Sequence, residues 1–374
     1  MEKETKTAKA LIDLLSSHVS GNAKPLSEDV SVDGICHLAK KHGLLALAAS
    51  ALEKTGQSTE KTREYKARAI RKIMLLDAER AAISAELSKR EIPHIPLKGV
   101  LLKELYPSLG DREMSDNDIL VDESRRHEVR EIFVARGYEV KSFGGAHDDV
   151  YMKPPVYNFE MHVSLFSENE SSEFSKYFSS ALENSLPDAG YRRKLSDEDF
   201  YLYITAHEYK HFSRGGTGLR SLLDAYLFLS SRPELDGEKI KSGLLSLGIS
   251  EYESCRTSLA NKLFCSATAE SREGRLSEDE EKMLSYVLGS GTYGTEKNVV
   301  ENEIARAADG GSKGKYILRR LFPKTEWYKD NAPFVYRHKI LIPFYLIKRL
   351  LVKLLLSPGK IIRELKLVKK AKGK

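Results

Sequence analysis

The stretch IPLKGVLLKELYPSLGDREMSDNDILVD, residues 95–122, constrains this chain more than any other. A short apolar run ends at Gly99, a helix of about two turns runs to Pro107, and Asp116 and Asp118 then lead into Ile-Leu-Val. Side chains two apart on a strand share a face, so the two carboxylates stand side by side. Each opposes ionisation of the other unless a cation lies between them. A hard divalent ion, which takes carboxylate oxygens and keeps its waters for a phosphate, resolves that conflict. The chain must therefore build a sheet that presents the pair, together with a further ligand.

That ligand is found in VYNFEMHVSL, residues 156–165. Alternation at period two puts Tyr157, Phe159, Met161 and Val163 on one face and Asn158, Glu160, His162 and Ser164 on the other. Glu160 thus lies on the polar face of a nearby strand, where it can join Asp116 and Asp118. The surrounding pattern predicts an α+β chain. Residues 1–90 read as helical, with apolar spacing over 33–54 and one long helix over 62–90, which lacks Gly and Pro. Residues 91–170 form a small mixed α/β core, with a helix over 125–137 followed by the strands YEVKSF, VYMKP and VYNFEMHVSLF. Residues 171–315 form a helical region, its helices beginning after Asp188, with 270–315 polar and partly loop; 316–374 form a basic tail. A length of 374 residues agrees with several such units.

Charge narrows the partners. The net charge of +6 hides an asymmetry: from Arg337 onward Glu364 is the sole acid against twelve Lys and Arg, so the preceding residues are net acidic. Bulk nucleic-acid binding by the body is not implied, and no specific nucleic-acid partner is expected. Cys36, Cys255 and Cys265 lie far from metal-ligand spacing and read as reduced thiols of a cytoplasmic protein. The N-terminus mixes acids with lysines and does not read as a secretory signal, and no apolar run reaches the roughly 18 residues of a spanning helix.

The succession of Lys98-Gly99, a helix, Arg112, Met114, Ser115, Asp116 and Asp118 before Ile-Leu-Val, then a strand with Glu160 and His162, resembles an uncharacterised nucleotidyltransferase family of bacterial polysaccharide gene clusters. That family lies within the polymerase-β-like nucleotidyltransferase superfamily. The resemblance extends over about residues 60–350 and is sharpest in 95–165. It implies that Asp116 and Asp118 ligate Mg²⁺ (or Mn²⁺) ions gripping the triphosphate of an NTP donor, with Glu160 completing the metal site or acting as base on the acceptor. Gly99 would bring backbone N–H groups to phosphate. Lys98 and Arg112 would neutralise phosphate charge, with His162 beside them. His207, Lys210, His211, Arg220 and Asp224 would line the helical side of the nucleotide cleft. The acceptor would be a sugar, a lipid-linked glycan precursor or a protein side chain. Superfamily members usually carry Gly-Ser where this chain has Lys98-Gly99; either Lys98 substitutes for the missing hydroxyl or nucleotide handling differs here.

Other strings admit other classes. HEYKH, residues 207–211, matches the H-E-x-x-H pattern of zinc hydrolases, with Asp224 as one possible third ligand, although Lys210 places a cation beside such a metal. A binding protein that retains the fold without catalysis is the other alternative. The glycines of 213–224 break one helix and start the next, and His94 and His147 show no partners in the sequence. In the tail, Lys348, Arg349 and Lys353 interrupt an apolar helical run. It reads either as a basic amphipathic helix on an anionic membrane, making the protein peripheral on the inner face, or as a helix docked on the protein's own body.

Overall fold

The computed structural model describes residues 2–145, 147–169, 171–265, 276–306 and 313–371. It is mixed α and β, as expected. The chain begins with four helices, α1 (Glu2–Val19), α2 (Val32–Lys41), α3 (Leu45–Lys54) and α4 (Glu60–Lys89). The run over 33–54 is thus two helices, which turn at Gly43 in a left-handed conformation (φ +63°). The long helix α4 forms as predicted, started by a Thr59–Thr62 capping box.

The sheet strands are β1 (His94–Pro96), β2 (Asn117–Val121), β3 (Glu139–Ser142), β4 (Asp148–Lys153), β5 (Tyr157–His162), β6 (Leu186–Ala189) and β7 (Arg192–Lys194), in the order β3-β4-β5-β2-β1-β7-β6. The short helix α5 (Gly99–Leu102) follows β1, α6 (Arg126–Ala135) follows β2, and α7 (Ser172–Tyr177) follows β5. The hairpin β6–β7 lies within a segment read as irregular or helical from sequence. Every residue of β6 is exposed, so it carries none of the apolar alternation that reveals a half-buried strand. Pairing of β7 with β1 extends the sheet beyond residue 170.

Further helices complete the body: α8 (Asp197–Arg214), α9 (Leu219–Ser230), α10 (Gly237–Leu247), α11 (Ser250–Phe264), α12 (Glu278–Ser290) and α13 (Glu296–Arg306). The polar region 270–315 is therefore largely helical where described, and the expectation of loop at 270–275 and 307–312 lies outside the described residues. The final elements are α14 (Lys313–Leu321), α15 (Thr325–Asn331), α16 (Pro333–Arg337), α17 (Ile342–Leu356) and α18 (Pro358–Lys370).

Two apolar layers enclose the sheet. On one face Ile119, Val121, Tyr151, Phe159 and Met161 bury against Ile83 and Leu87 of α4 and Phe133 of α6. On the other, Leu120 packs with Phe166, Phe174, Phe200, Tyr203 and Phe228, so α7, α8 and α9 cover that side. The alternation read from 157–163 is what makes this layering: odd-numbered residues of β5 enter the first layer, while Glu160 and His162 face the second. A separate core joins Leu11 and Leu47 to Leu222, Leu259 and Phe264, tying the N-terminal helices to α9 and α11.

A buried ion pair binds α8 to α11. Arg256, 1% exposed, donates from Nη1 to Glu208 Oε2 at 2.7 Å, and Tyr252 donates to Glu208 Oε1 at 2.8 Å. Removing one member of such a pair leaves the other charged and desolvated. Glu208→Ala is expected to lower stability by about 3–5 kcal/mol in urea unfolding; a loss below roughly 1 kcal/mol, the range of exposed pairs, would mean that Arg256 finds other partners.

Candidate active site

The site is built on one register. Strands β2 and β5 run parallel with Asp118 opposite Glu160 and Leu120 opposite His162. Because paired residues in register share a face, Asp118, Glu160 and His162 all project toward α8. Their ligand atoms lie within 4.8 Å of one another. Asp116 sits just before β2 and lines the same cavity from the loop.

The turn between β1 and α5 supplies the cation. The Val100 N–H donates to the Leu97 carbonyl at 3.3 Å, and Lys98 takes φ +45°, ψ −114° at the first central position. This is type II′ geometry, which normally selects glycine there. Lys98 Nζ reaches Asp118 Oδ1 at 2.8 Å, and His162 Nε2 is 2.7 Å from the same oxygen. Burial raises the Tyr203 hydroxyl of α8, and the neighbouring Lys98 opposes that rise.

Electrostatics follow from this crowding. Burial tends to raise the Asp118 carboxyl, but Lys98 and His162 outweigh it and hold Asp118 well below the usual carboxylate range. Asp116 is raised by burial and by Asp118. Glu160 is pushed up to about 7 by burial, then by Asp118 and Asp116. One ammonium thus satisfies one carboxylate and leaves the other two short of positive charge.

The remaining candidates take distinct positions. Gly99 admits the Arg112 guanidinium, whose Nη1 would lie 2.7 Å from a Cβ at that residue. Gly99 opens a helix of only four residues. Arg112 is buried and donates from Nε and Nη2 to the two oxygens of Asp224, both at 2.8 Å, while the Tyr106 hydroxyl donates to Asp224 Oδ1 at 2.7 Å. The fork of Arg112 therefore clamps the loop before β2 to α9, and its bidentate partner is a carboxylate of the protein itself. Lys210 and Arg220 line the cavity from α8 and α9; Arg220 Nη1 also donates to the Glu113 carbonyl at 3.5 Å.

The cavity measures about 560 Å³, within the range of small-molecule sites, and also takes in Thr217, Ser221, Thr292 and Tyr293. Sequence reading missed Tyr203, although its place four residues before His207 puts the two on one helix face. Thr292 and Tyr293 come from a turn after α12 that carries no motif.

HEYKH does not assemble a zinc centre among the described residues. His207 and His211 approach at 3.3 Å between their Nε2 atoms, but Glu208 is held by Arg256 and Tyr252, and Asp224 is held by Arg112 and Tyr106. Burial and the neighbouring Lys98 keep the His207 imidazole far below its ordinary titration range. His94 is a satisfied core residue bonded to Ser84 and the Ile92 carbonyl; the His147 ring packs edge-on against His162 at 4.9 Å between centroids.

The donor set suits a divalent cation. Two carboxylates and an imidazole converge, with His162 Nε2 2.7 Å from Asp118 Oδ1 and 4.0 Å from Glu160 Oε2. The charge imbalance gives a pH signature. Glu160 has a folded value near 7 against an ordinary 4.5, so the folded state holds its proton more tightly. The stability contributed is full below the ordinary value and is lost as pH rises through about 7. In metal-free protein Glu160→Gln is expected to flatten the fall in urea midpoint between about pH 5 and 8; an unchanged slope would exclude Glu160 as its source.

A search of the curated proteins and one of the solved structures gave no match. A family model described as an uncharacterised nucleotidyltransferase matches residues 28–265, from before α2 to just past α11, and so includes the whole sheet and every residue of the acidic cluster. With more than half its length matched, the chain belongs to that nucleotidyltransferase family.

Proposed function

We propose that the chain transfers a nucleoside monophosphate from an NTP to an acceptor hydroxyl or phosphate, with pyrophosphate leaving, within the cavity between the sheet and α8–α9. Family membership supports nucleotidyl transfer as the general reaction. The observation that carries the reading is one cavity lined both by Asp116, Asp118 and Glu160 and by Lys210 and Arg220 of α8 and α9. The acids suit a metal, and the cations suit a polyphosphate.

Asp116, Asp118 and Glu160, with His162 beside them, would hold Mg²⁺ (or Mn²⁺), which when bound neutralises phosphate charge and polarises the reacting oxygens. Lys210 and Arg220 bind and orient the donor's phosphates. Glu160 either completes that metal site or, as base, accepts the proton of the acceptor hydroxyl. Arg112 acts through Asp224, fixing the loop that carries Asp116. The acceptor is a sugar, a lipid-linked glycan precursor or a protein side chain; a place in polysaccharide synthesis rests on the sequence resemblance alone.

The tail suggests where this happens. No helix among the described residues is long and apolar enough to cross a membrane. Helix α18 is tied to α13 and α14 through Val368, Val300, Ile304 and Tyr316, and Glu364 accepts from Tyr316 and Arg320. Helix α17 buries none of its residues and exposes Phe344, Ile347, Leu351, Leu354 and Leu355, spaced along one stripe. Such a stripe, in a tail this basic, fits the interface of an anionic bilayer, with the enzyme peripheral on the cytoplasmic face. One helix of the tail is thus docked on the body, and the other is turned outward.

Binding of labelled ATP, GTP, CTP and UTP with Mg²⁺ tests the reaction. Asp116→Asn/Asp118→Asn is expected to lower transfer by at least about 10³-fold, removing the charges that hold the metal. Absence of binding of every nucleotide to the wild type at millimolar concentration would overturn the transferase reading, and binding that survives the double substitution without transfer in either protein would favour a non-catalytic binder. For the tail, wild type is expected to float with phosphatidylglycerol-containing liposomes, and Ile347→Glu/Leu351→Glu/Leu355→Glu is expected not to. Equal flotation of the two proteins would exclude α17 as the anchor.

A further inference from the structure

We infer that Lys98 fills one of the two cation seats of this site, so that the chain works with a single divalent ion beside a tethered ammonium. The inference rests on the nucleotidyl-transfer reading. Three observations carry it, and each concerns where the side chain is held.

The first is backbone strain. Among the described residues Glu91 and Lys98 are the non-glycine residues with positive φ, and Lys98 stands where a II′ turn selects glycine. A side chain kept in a sparsely populated conformation persists where its surroundings over-determine it, and such positions gather at functional sites. The second is contact. The ammonium is turned inward against Asp118 and largely covered, 18% of the side chain remaining exposed, not laid along the surface as a lysine normally is. Lys98 Nζ and His162 Nε2 converge on Asp118 Oδ1 at 2.8 and 2.7 Å. In a two-metal centre a shared carboxylate bridges ions about 3.5–4 Å apart, one on each oxygen. With Oδ1 engaged by Lys98, Asp118 would have its other oxygen left to hold one ion. The third is charge. Asp116, Asp118 and Glu160 line one cavity with the Lys98 ammonium, and three carboxylates against one ammonium leave the deficit that a single divalent cation cancels.

The arrangement also accounts for Lys98-Gly99 in place of Gly-Ser. The side chain at 98 delivers charge to the acid cluster, and Gly99 leaves room for Arg112. Lys98 is then a resident part of the centre, and Lys210 and Arg220 line the cavity that would take the donor's phosphates.

Counting bound Mn²⁺ by electron paramagnetic resonance tests this, on the full-length chain with Mn²⁺ alone and with non-hydrolysable analogues of the four common NTPs. Wild type and Lys98→Arg are expected to hold one ion per chain with or without an analogue. Lys98→Met, which keeps the length and removes the charge, is expected to hold two when an analogue is present. Lys98→Gly relieves the turn and is expected to hold two as well, with a melting temperature no lower than wild type, which separates loss of the cation from loss of the fold. Two ions in the wild type, or one ion in both Lys98→Met and Lys98→Gly, would overturn the inference. No ion in any of the proteins would overturn it together with the transferase reading, whereas one ion throughout sinks the role of Lys98 and leaves that reading standing.

Discussion

Two carboxylates facing each other across parallel strands set the terms for this molecule. The register of β2 on β5 makes Asp118 the neighbour of Glu160, and the sheet cannot form without bringing them together. Coulomb repulsion at such separations is severe in a partly desolvated cavity. The fold counters it with Lys98, delivered from the adjacent strand end, and with His162 two residues beyond Glu160. Asp116 and Glu160 stay undercompensated, and that residue of unfavourable charge is what makes the site ready for a cation. Stability given up locally is recovered in the apolar layers on either face of the sheet, around Phe133, Phe159 and Met161 below and Phe166, Tyr203 and Phe228 above.

The helical regions are part of the site. Helix α8 closes the cavity with His207, Lys210 and His211, while its Glu208 is locked to α11. Helix α9 carries Arg220 to the cavity and Asp224 to the Arg112 fork. The N-terminal helices share a core with α9 and α11, so their packing supports these positions from behind.

Much of this was legible in the sequence, and the reasons are local. The period-two pattern of 157–163 identified the buried and polar faces of β5 because each face meets a uniform environment. The uninterrupted run of 62–90 announced α4, and the Asp116–Asp118 pair announced the acids. What stayed hidden depends on partners distant in the chain or on unusual backbone. Nothing near Arg112 reveals that its carboxylate lies at Asp224, and nothing near Glu208 reveals Arg256. Lys98 could be read as a phosphate ligand because sequence alone gives a lysine no reason to adopt a glycine conformation. The β6–β7 hairpin escaped because an exposed edge strand lacks the hydrophobic alternation that betrays half-buried ones.

The Arg112 clamp ties together three positions far apart in the chain. Gly99 has no side chain because the guanidinium lies where one would begin, and Asp224 is charged because the guanidinium reaches it. A relative that lacks arginine at position 112 would therefore strand a carboxylate at 224 and open space at 99. The three should change together across the family, as a linked trait inherited or lost whole, even while the surface around them drifts.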